Sequence, residues 1–146
     1  MLICQIIMPL VLGYGSLTPR RMRQRVGRVE VVRGVRLRNM RVVFQGAAPR
    51  FEYGGVATLV PARGDHDTVG ILFHLTPGQL QMLDEVEQVG MGLTVRRWLR
   101  RPQCWIYLRR FQEEPNPPSP RYASLHRELR RCALRLLAQQ DAREEQ

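Results

Sequence analysis

Glu87 occupies a position where a carboxylate is costly. Leu80, Leu83 and Val86 fall at helical spacing and mark an apolar stripe, with Met82 near its edge. Glu87 lies four residues after Leu83 and seven after Leu80, so it projects from that same stripe, whereas Asp84 and Glu85 are free to face outward or cap locally. An acid turned toward a core must be paired, hydrogen-bonded or protonated. Desolvation lifts its pKa toward the range in which a general base works near neutral pH. From the residues alone, the alternative is a helix-end glutamate that reaches solvent or an arginine. A second stretch, Leu10 to Pro19, complements it. There an apolar run feeds a turn carrying Gly13, Tyr14, Gly15, Ser16 and Leu17. A strand that ends in such a turn and then enters a helix presents backbone amides suited to a carboxylate or phosphate, although many such turns are ordinary strand endings.

The other reactive side chains offer less. His66 sits between Asp65 and Asp67 without a second histidine nearby and reads as a solvent-exposed turn residue; His74 and His126 are isolated and read as structural or surface groups. Ser16 has no histidine–acid pair at a recognisable spacing, which argues against covalent serine catalysis. Cys4, Cys104 and Cys132 form no ligand pair, so neither a metal site nor a disulfide framework is indicated, and reduced thiols in a cytoplasmic protein follow. Arg50 and Arg109 have the reach for an anionic substrate, but nothing in the sequence selects them from the other arginines.

At 146 residues, one domain over 1–140 with a polar tail over 141–146 is expected. All 23 basic residues are arginine, against 13 acidic ones, for a formal charge of +10. Such a balance raises nucleic-acid or anionic-ligand binding. The arginines are spread along the whole chain, which argues against a dedicated nucleic-acid groove and for a solvated basic face. The opening apolar run lacks a basic start and is interrupted by Pro9. It reads as a first, central strand, with no export signal and no membrane association.

Thr18-Pro19, Thr76-Pro77-Gly78-Gln79 and Ser119-Pro120 are helix starts, a capping residue followed by proline at the first position, and Gln79 can close a capping box. They predict a short helix to about Arg25, a second to Glu87 or Gln88, and a long amphipathic helix fraying beyond Gln139. Residues 27–44 read as extended with a bend or bulge at Gly34, Gly46 to Gly55 as a loop, and Val56–Val60 and Thr68–Leu75 as strands. Leu93 to Trp98 and Cys104 to Phe111 give two more, the latter apolar on both faces and hence central, before a proline-rich connector. The fold class is α+β, with a small mixed, strongly curved or closed β-barrel flanked by helices.

Five ordered motifs carry a resemblance: Tyr14-Gly15-Ser16-Leu17, Gly55-Val56-Ala57-Thr58-Leu59, Val69-Gly70-Ile71-Leu72-Phe73, Leu80 through Glu87, and Pro117 through Tyr122. Together they are similar to the gamma-glutamylcyclotransferase-like family over roughly residues 10–135. The resemblance implies non-hydrolytic cleavage of a γ-glutamyl amide, releasing 5-oxoproline and an amine or amino acid, with neither cofactor nor metal. It implies Glu87 as catalytic acid and base, backbone groups of Gly13, Tyr14, Gly15, Ser16 and Leu17 around the small-molecule substrate, and Tyr122 in the same pocket. Two departures stand out. Family members often carry glycine where this chain has Gln88, and a tyrosine where it has Thr94. A non-catalytic carboxylate- or protein-binding member of the fold and a basic nucleic-acid-binding domain remain alternatives, and monomer and dimer are both open. A cavity shared by Glu87 and the turn amides favours the enzyme, and a surface ion pair at Glu87 the binding module. A continuous arginine stripe beside exposed aromatic rings favours the third.

Overall fold

Three helices begin by the same local chemistry. Thr18, Thr76 and Ser119 each turn a hydroxyl back to accept from the amide three residues on, at 3.2, 3.1 and 3.2 Å. They open α1 (Pro19–Val26), α2 (Pro77–Val86) and α3 (Pro120–Glu144), each with proline in the first turn. Gln79 closes the box at α2 by accepting from the Thr76 amide at 2.9 Å. The computed structural model describes residues 8–64 and 67–145. Cys4, the first residues of the opening apolar run, and His66 lie outside the described residues.

Among the described residues seven strands accompany the helices: β1 (Leu10–Gly13), β2 (Glu30–Leu37), β3 (Met40–Ala48), β4 (Gly54–Pro61), β5 (Thr68–His74), β6 (Thr94–Arg100) and β7 (Gln103–Arg109). Five form one mixed sheet in the order β2-β5-β1-β7-β6, in which only β1 and β7 run parallel, with Val11 opposite Trp105. β3 and β4 pair with each other as a separate antiparallel ribbon. Among the described residues the ladders therefore stop short of a closed barrel. Among the described residues β2 and β6 are the outer strands of the sheet, and the fold is a mixed sheet with a ribbon and three helices.

The sheet is apolar on both faces because it is covered on both. Val11, Ile71 and Phe73 point into one cluster with Met22 of α1, Leu83 of α2 and Leu129 of α3. Leu12, Leu72 and Ile106 point the other way, against Leu59 of the ribbon and Val35 and Leu37. A third, smaller cluster of Phe51, Val56 and Tyr122 joins the ribbon's end to the start of α3.

Several sequence expectations shift. The bulge in β2 falls between Val31 and Arg33, one to two residues before Gly34. Gly34 is needed for a different reason: a Cβ there would come within 2.7 Å of the Ala133 carbonyl of α3. The expected loop from Gly46 to Gly55 is mostly ordered, because β3 runs on to Ala48 and a 3-10 turn fills Pro49–Phe51. The connector supplies what these small residues lack, since Gly46 and Gly55 donate to the carbonyls of Glu114 and Pro117, both at 3.0 Å. α3 does not fray at Gln139. Its next residue, Gln140, accepts from the Gly34 amide at 2.8 Å and donates to the Gly34 carbonyl at 3.2 Å. β6 starts one residue later than expected, leaving Leu93 half exposed, and β7 ends at Arg109 with Phe111 exposed beyond it.

Candidate active site

The exit of β1 and the end of α2 face each other across a cavity of about 290 Å3. Gly13, Tyr14, Gly15, Ser16 and Leu17 line it from one side and Glu87 from another; Tyr122 of α3 also opens onto it. That volume suits a small polar ligand.

Each wall is fixed by named contacts. The Tyr14 side chain is buried and donates its hydroxyl to the Tyr107 carbonyl of β7. The Tyr107 hydroxyl donates in turn to Asp84 Oδ1 at 2.6 Å, and Asp84 meets Arg96 Nε at 2.9 Å. This relay ties the β1 exit to α2 one turn before Glu87. The Tyr122 hydroxyl accepts from the Ala57 amide at 3.1 Å and lies so close to the turn that a Cβ on Gly15 would approach it to 2.8 Å. His126 Nδ1 is 2.9 Å from the Gly15 carbonyl. A carbonyl only accepts, so an imidazole proton sits on Nδ1; burial lowers the pKa of His126 and so favours the neutral ring. The turn closes on itself through Thr18 N to Ser16 O at 3.0 Å, while the amides of Gly15, Ser16 and Leu17 donate to no carbonyl in the turns and loops described. They are available to a ligand.

Glu87 follows the last turn of α2, its amide bonded to the Leu83 carbonyl at 2.8 Å. Its side chain is 19% exposed, and the nearest cation, Arg50 Nη2, is 3.8 Å from Oε2. That separation is too long for a strong ion pair. Burial raises the Glu87 pKa above its ordinary 4.5, against the pull of Arg50, Arg25, Arg21 and Arg109. Desolvation thus outweighs pairing. Burial likewise raises the tyrosines, Tyr122 against the pull of the Ala57 amide and Tyr14 through its complete enclosure. Both stay protonated and act through hydroxyls and rings.

No family model and no curated protein matches the sequence. Solved structures do. The chain superposes on a gamma-glutamyl cyclotransferase with a TM-score of 0.69 at 25% identity, over 82% of this chain and 76% of that one. It superposes on an uncharacterised protein from Homo sapiens with a TM-score of 0.68 at 26% identity, over the same shares. The chain has the gamma-glutamylcyclotransferase-like fold. A third likeness, to YkqA from Bacillus subtilis, has a TM-score of 0.68 at 17% identity, over 83% of this chain and 47% of that protein.

Within this fold, the two departures noted in the sequence differ in weight. Gln88 adopts the left-handed conformation, φ 58° and ψ 40°, that glycine takes freely. The helix exit is therefore preserved at a local cost of about 1 kcal/mol. Thr94 lines the cavity, and its hydroxyl accepts from Arg109 at 3.4 Å, so no aromatic ring comes from that position. Val86 is only half-buried and Met82 exposed, which leaves Leu80 and Leu83 as the anchored part of the α2 stripe.

The sequence did not single out Arg21, Arg25 or Phe51, all of which line the cavity. Arg21 and Arg25 stand four apart on α1, a spacing that puts two side chains on one face. Phe51 lies under three guanidiniums, those of Arg121, Arg50 and Arg21 at 4.7, 5.3 and 5.8 Å from the ring centroid. Arg50 and Arg109 also belong to the wall. On β6, Arg96 is committed to Asp84 and stacks on Trp105 at 4.3 Å, which interrupts the arginine run beside the half-exposed Trp98. Among the described residues, no three His, Cys, Asp or Glu side chains gather to share a metal ion, and no helix is long and apolar enough to cross a membrane.

Proposed function

We propose that this chain is a cyclotransferase that cleaves a γ-glutamyl amide into 5-oxoproline and an amine or amino acid. The observation that carries the reading is the shared cavity: one desolvated carboxylate, Glu87, across from the turn in which the amides of Gly15, Ser16 and Leu17 donate to no described carbonyl. The similar gamma-glutamyl cyclotransferase supports the same reaction class.

The chemistry is an internal displacement. The substrate's α-amine, once neutral, attacks its own γ-carbonyl carbon and closes a five-membered ring. Holding both ends in one cavity converts the chain's flexibility into effective concentration. Glu87 takes a proton from the attacking nitrogen and returns it to the departing one, so that one carboxylate serves as base and then acid. The amides of Gly15, Ser16 and Leu17 receive the substrate carboxylate or the oxyanion that forms as the carbonyl becomes tetrahedral. Tyr122 and His126 hold that turn in place through Ala57 and Gly15. No proton or electron leaves the balance, since the amide bond broken is replaced by the lactam bond formed.

The long Arg50–Glu87 separation and the raised Glu87 pKa favour this reading over a binding module, in which a surface ion pair would hold the carboxylate ionised and idle. The free thiols of Cys104 and Cys132 fit a cytoplasmic setting. A panel of γ-glutamyl amides assayed for 5-oxoproline by liquid chromatography tests the proposal. Release of 5-oxoproline and the cognate amine in equal amounts is expected. Release of glutamate instead, or of nothing from any amide, overturns it.

A further inference from the structure

The wall of the cavity carries more positive charge than the glutamyl end of a substrate can use. Four arginines line it, namely Arg21, Arg25, Arg50 and Arg109. Arg109 is neutralised by Glu113 at 2.8 Å, and outside the lining Arg121 is met by Glu52 at 3.4 Å. Arg21, Arg25 and Arg50 are left facing a single carboxylate, Glu87. Among the described residues, Arg21 and Arg25 make no ion pair within 4 Å. The Arg21 Nε is buried without a hydrogen-bond partner, and the proton affinity of this guanidinium is lowered by burial and then by Arg25, Arg121 and Arg50. With Glu87 ionised, the wall holds an excess of two positive charges.

A γ-glutamyl head brings one carboxylate and one ammonium, which cancel as it arrives. The far end of the ligand is the part of the substrate that can meet this excess. Resting on the cyclotransferase reading of this cavity, we propose that it selects γ-glutamyl amides whose leaving portion carries two negative charges, held by Arg21, Arg25 and Arg50. The geometry suits that task. Arg21 and Arg25 project from one face of α1, and Arg50 arrives from the 3-10 turn on the far side, steadied by Phe51 and by donation from Nη1 to the Val86 carbonyl at 3.0 Å. Guanidinium forks match carboxylate and phosphate oxygens in pairs. A dicarboxylic amino acid and an amine bearing a phosphomonoester share this chemistry.

Isothermal titration of the intact chain with two matched pairs separates the outcomes. γ-Glutamyl-glutamate is compared with γ-glutamyl-glutamine, nearly the same shape with one charge fewer; γ-glutamyl-phosphoethanolamine is compared with γ-glutamyl-ethanolamine. In at least one pair the dianionic member is expected to bind about tenfold tighter or more at low salt. That gap should narrow at about 0.5 M salt and shrink several-fold in Arg25→Gln. The pair that shows it names the group. Equal affinity within both pairs, or binding of none of the four, overturns the subsite. Binding is read apart from turnover. A dianion preference with no 5-oxoproline from any ligand leaves the subsite standing and removes the cyclotransferase reading; 5-oxoproline formed without a dianion preference does the reverse.

Discussion

Replacing Glu87 by glutamine removes one proton-carrying oxygen and almost nothing else. The side chain keeps its length, and Arg50 retains its bond to the Val86 carbonyl at 3.0 Å and is itself 42% exposed to water. General acid–base assistance is worth about 10²–10⁴ in rate. Here one group serves two transfers, so a loss of at least about 10³-fold in kcat, ~4 kcal/mol of barrier, is expected. Stability should move the other way. Because burial raises the Glu87 pKa above 4.5, the folded chain keeps a proton at pH values where the unfolded chain has lost it. Wild-type stability therefore falls as pH climbs from the unfolded to the folded value, and above that window the folded state holds a disfavoured charge. The glutamine variant should melt at or above the wild-type temperature at pH 8, and the difference should shrink toward pH 4. The same shift places the acid limb of the wild-type kcat/KM profile above the ordinary glutamate range. Paired assays of 5-oxoproline release and thermal unfolding check both signs. A variant that turns over at the wild-type rate, or one that melts well below wild type at pH 8, refutes the reasoning.

Two further substitutions probe the walls. Gly15→Ala should cost about 1–3 kcal/mol by overpacking, because the new Cβ would press on the Tyr122 hydroxyl at 2.8 Å and on Ala57 at 3.3 Å; calorimetry reads the loss, and substrate KM should rise with it. Tyr122→Phe removes the acceptor of the Ala57 amide and should cost about 1–3 kcal/mol for the orphaned donor; an unchanged melting temperature would show that water replaces the hydroxyl.

The parts of this fold legible in the sequence are those governed by neighbouring residues. Thr18-Pro19, Thr76-Pro77 with Gln79, and Ser119-Pro120 specify helix starts whatever surrounds them, and all three bonds are present. The helical step from Leu83 to Glu87 was enough to turn the carboxylate toward the interior, and the cavity it reaches also contains the Gly13–Leu17 turn. What stayed hidden depends on distant partners. Nothing near Gly46 asks for a strand, because its amide donates to the Glu114 carbonyl and its carbonyl accepts from the Asn116 side chain, about 70 residues on. The parallel join of β1 to β7, which sets the sheet order, brings together residues 94 apart, Val11 and Trp105. Arg21 and Arg25 look like any solvated helix face until the Pro49–Phe51 turn closes over them. The sequence around Tyr14 speaks only for its backbone, whereas its side chain braces β1 against β7.

An open sheet has two rims, and a rim is an invitation to strands from other molecules. On β2 the slot beside Gly34 is stoppered by the Gln140 amide, which imitates a neighbouring peptide unit by both giving and taking a hydrogen bond. On β6 the approach is hedged by the exposed guanidiniums of Arg97 and Arg100. Two side-chain devices thus stand on the rims that other β proteins do away with by joining their first strand to their last.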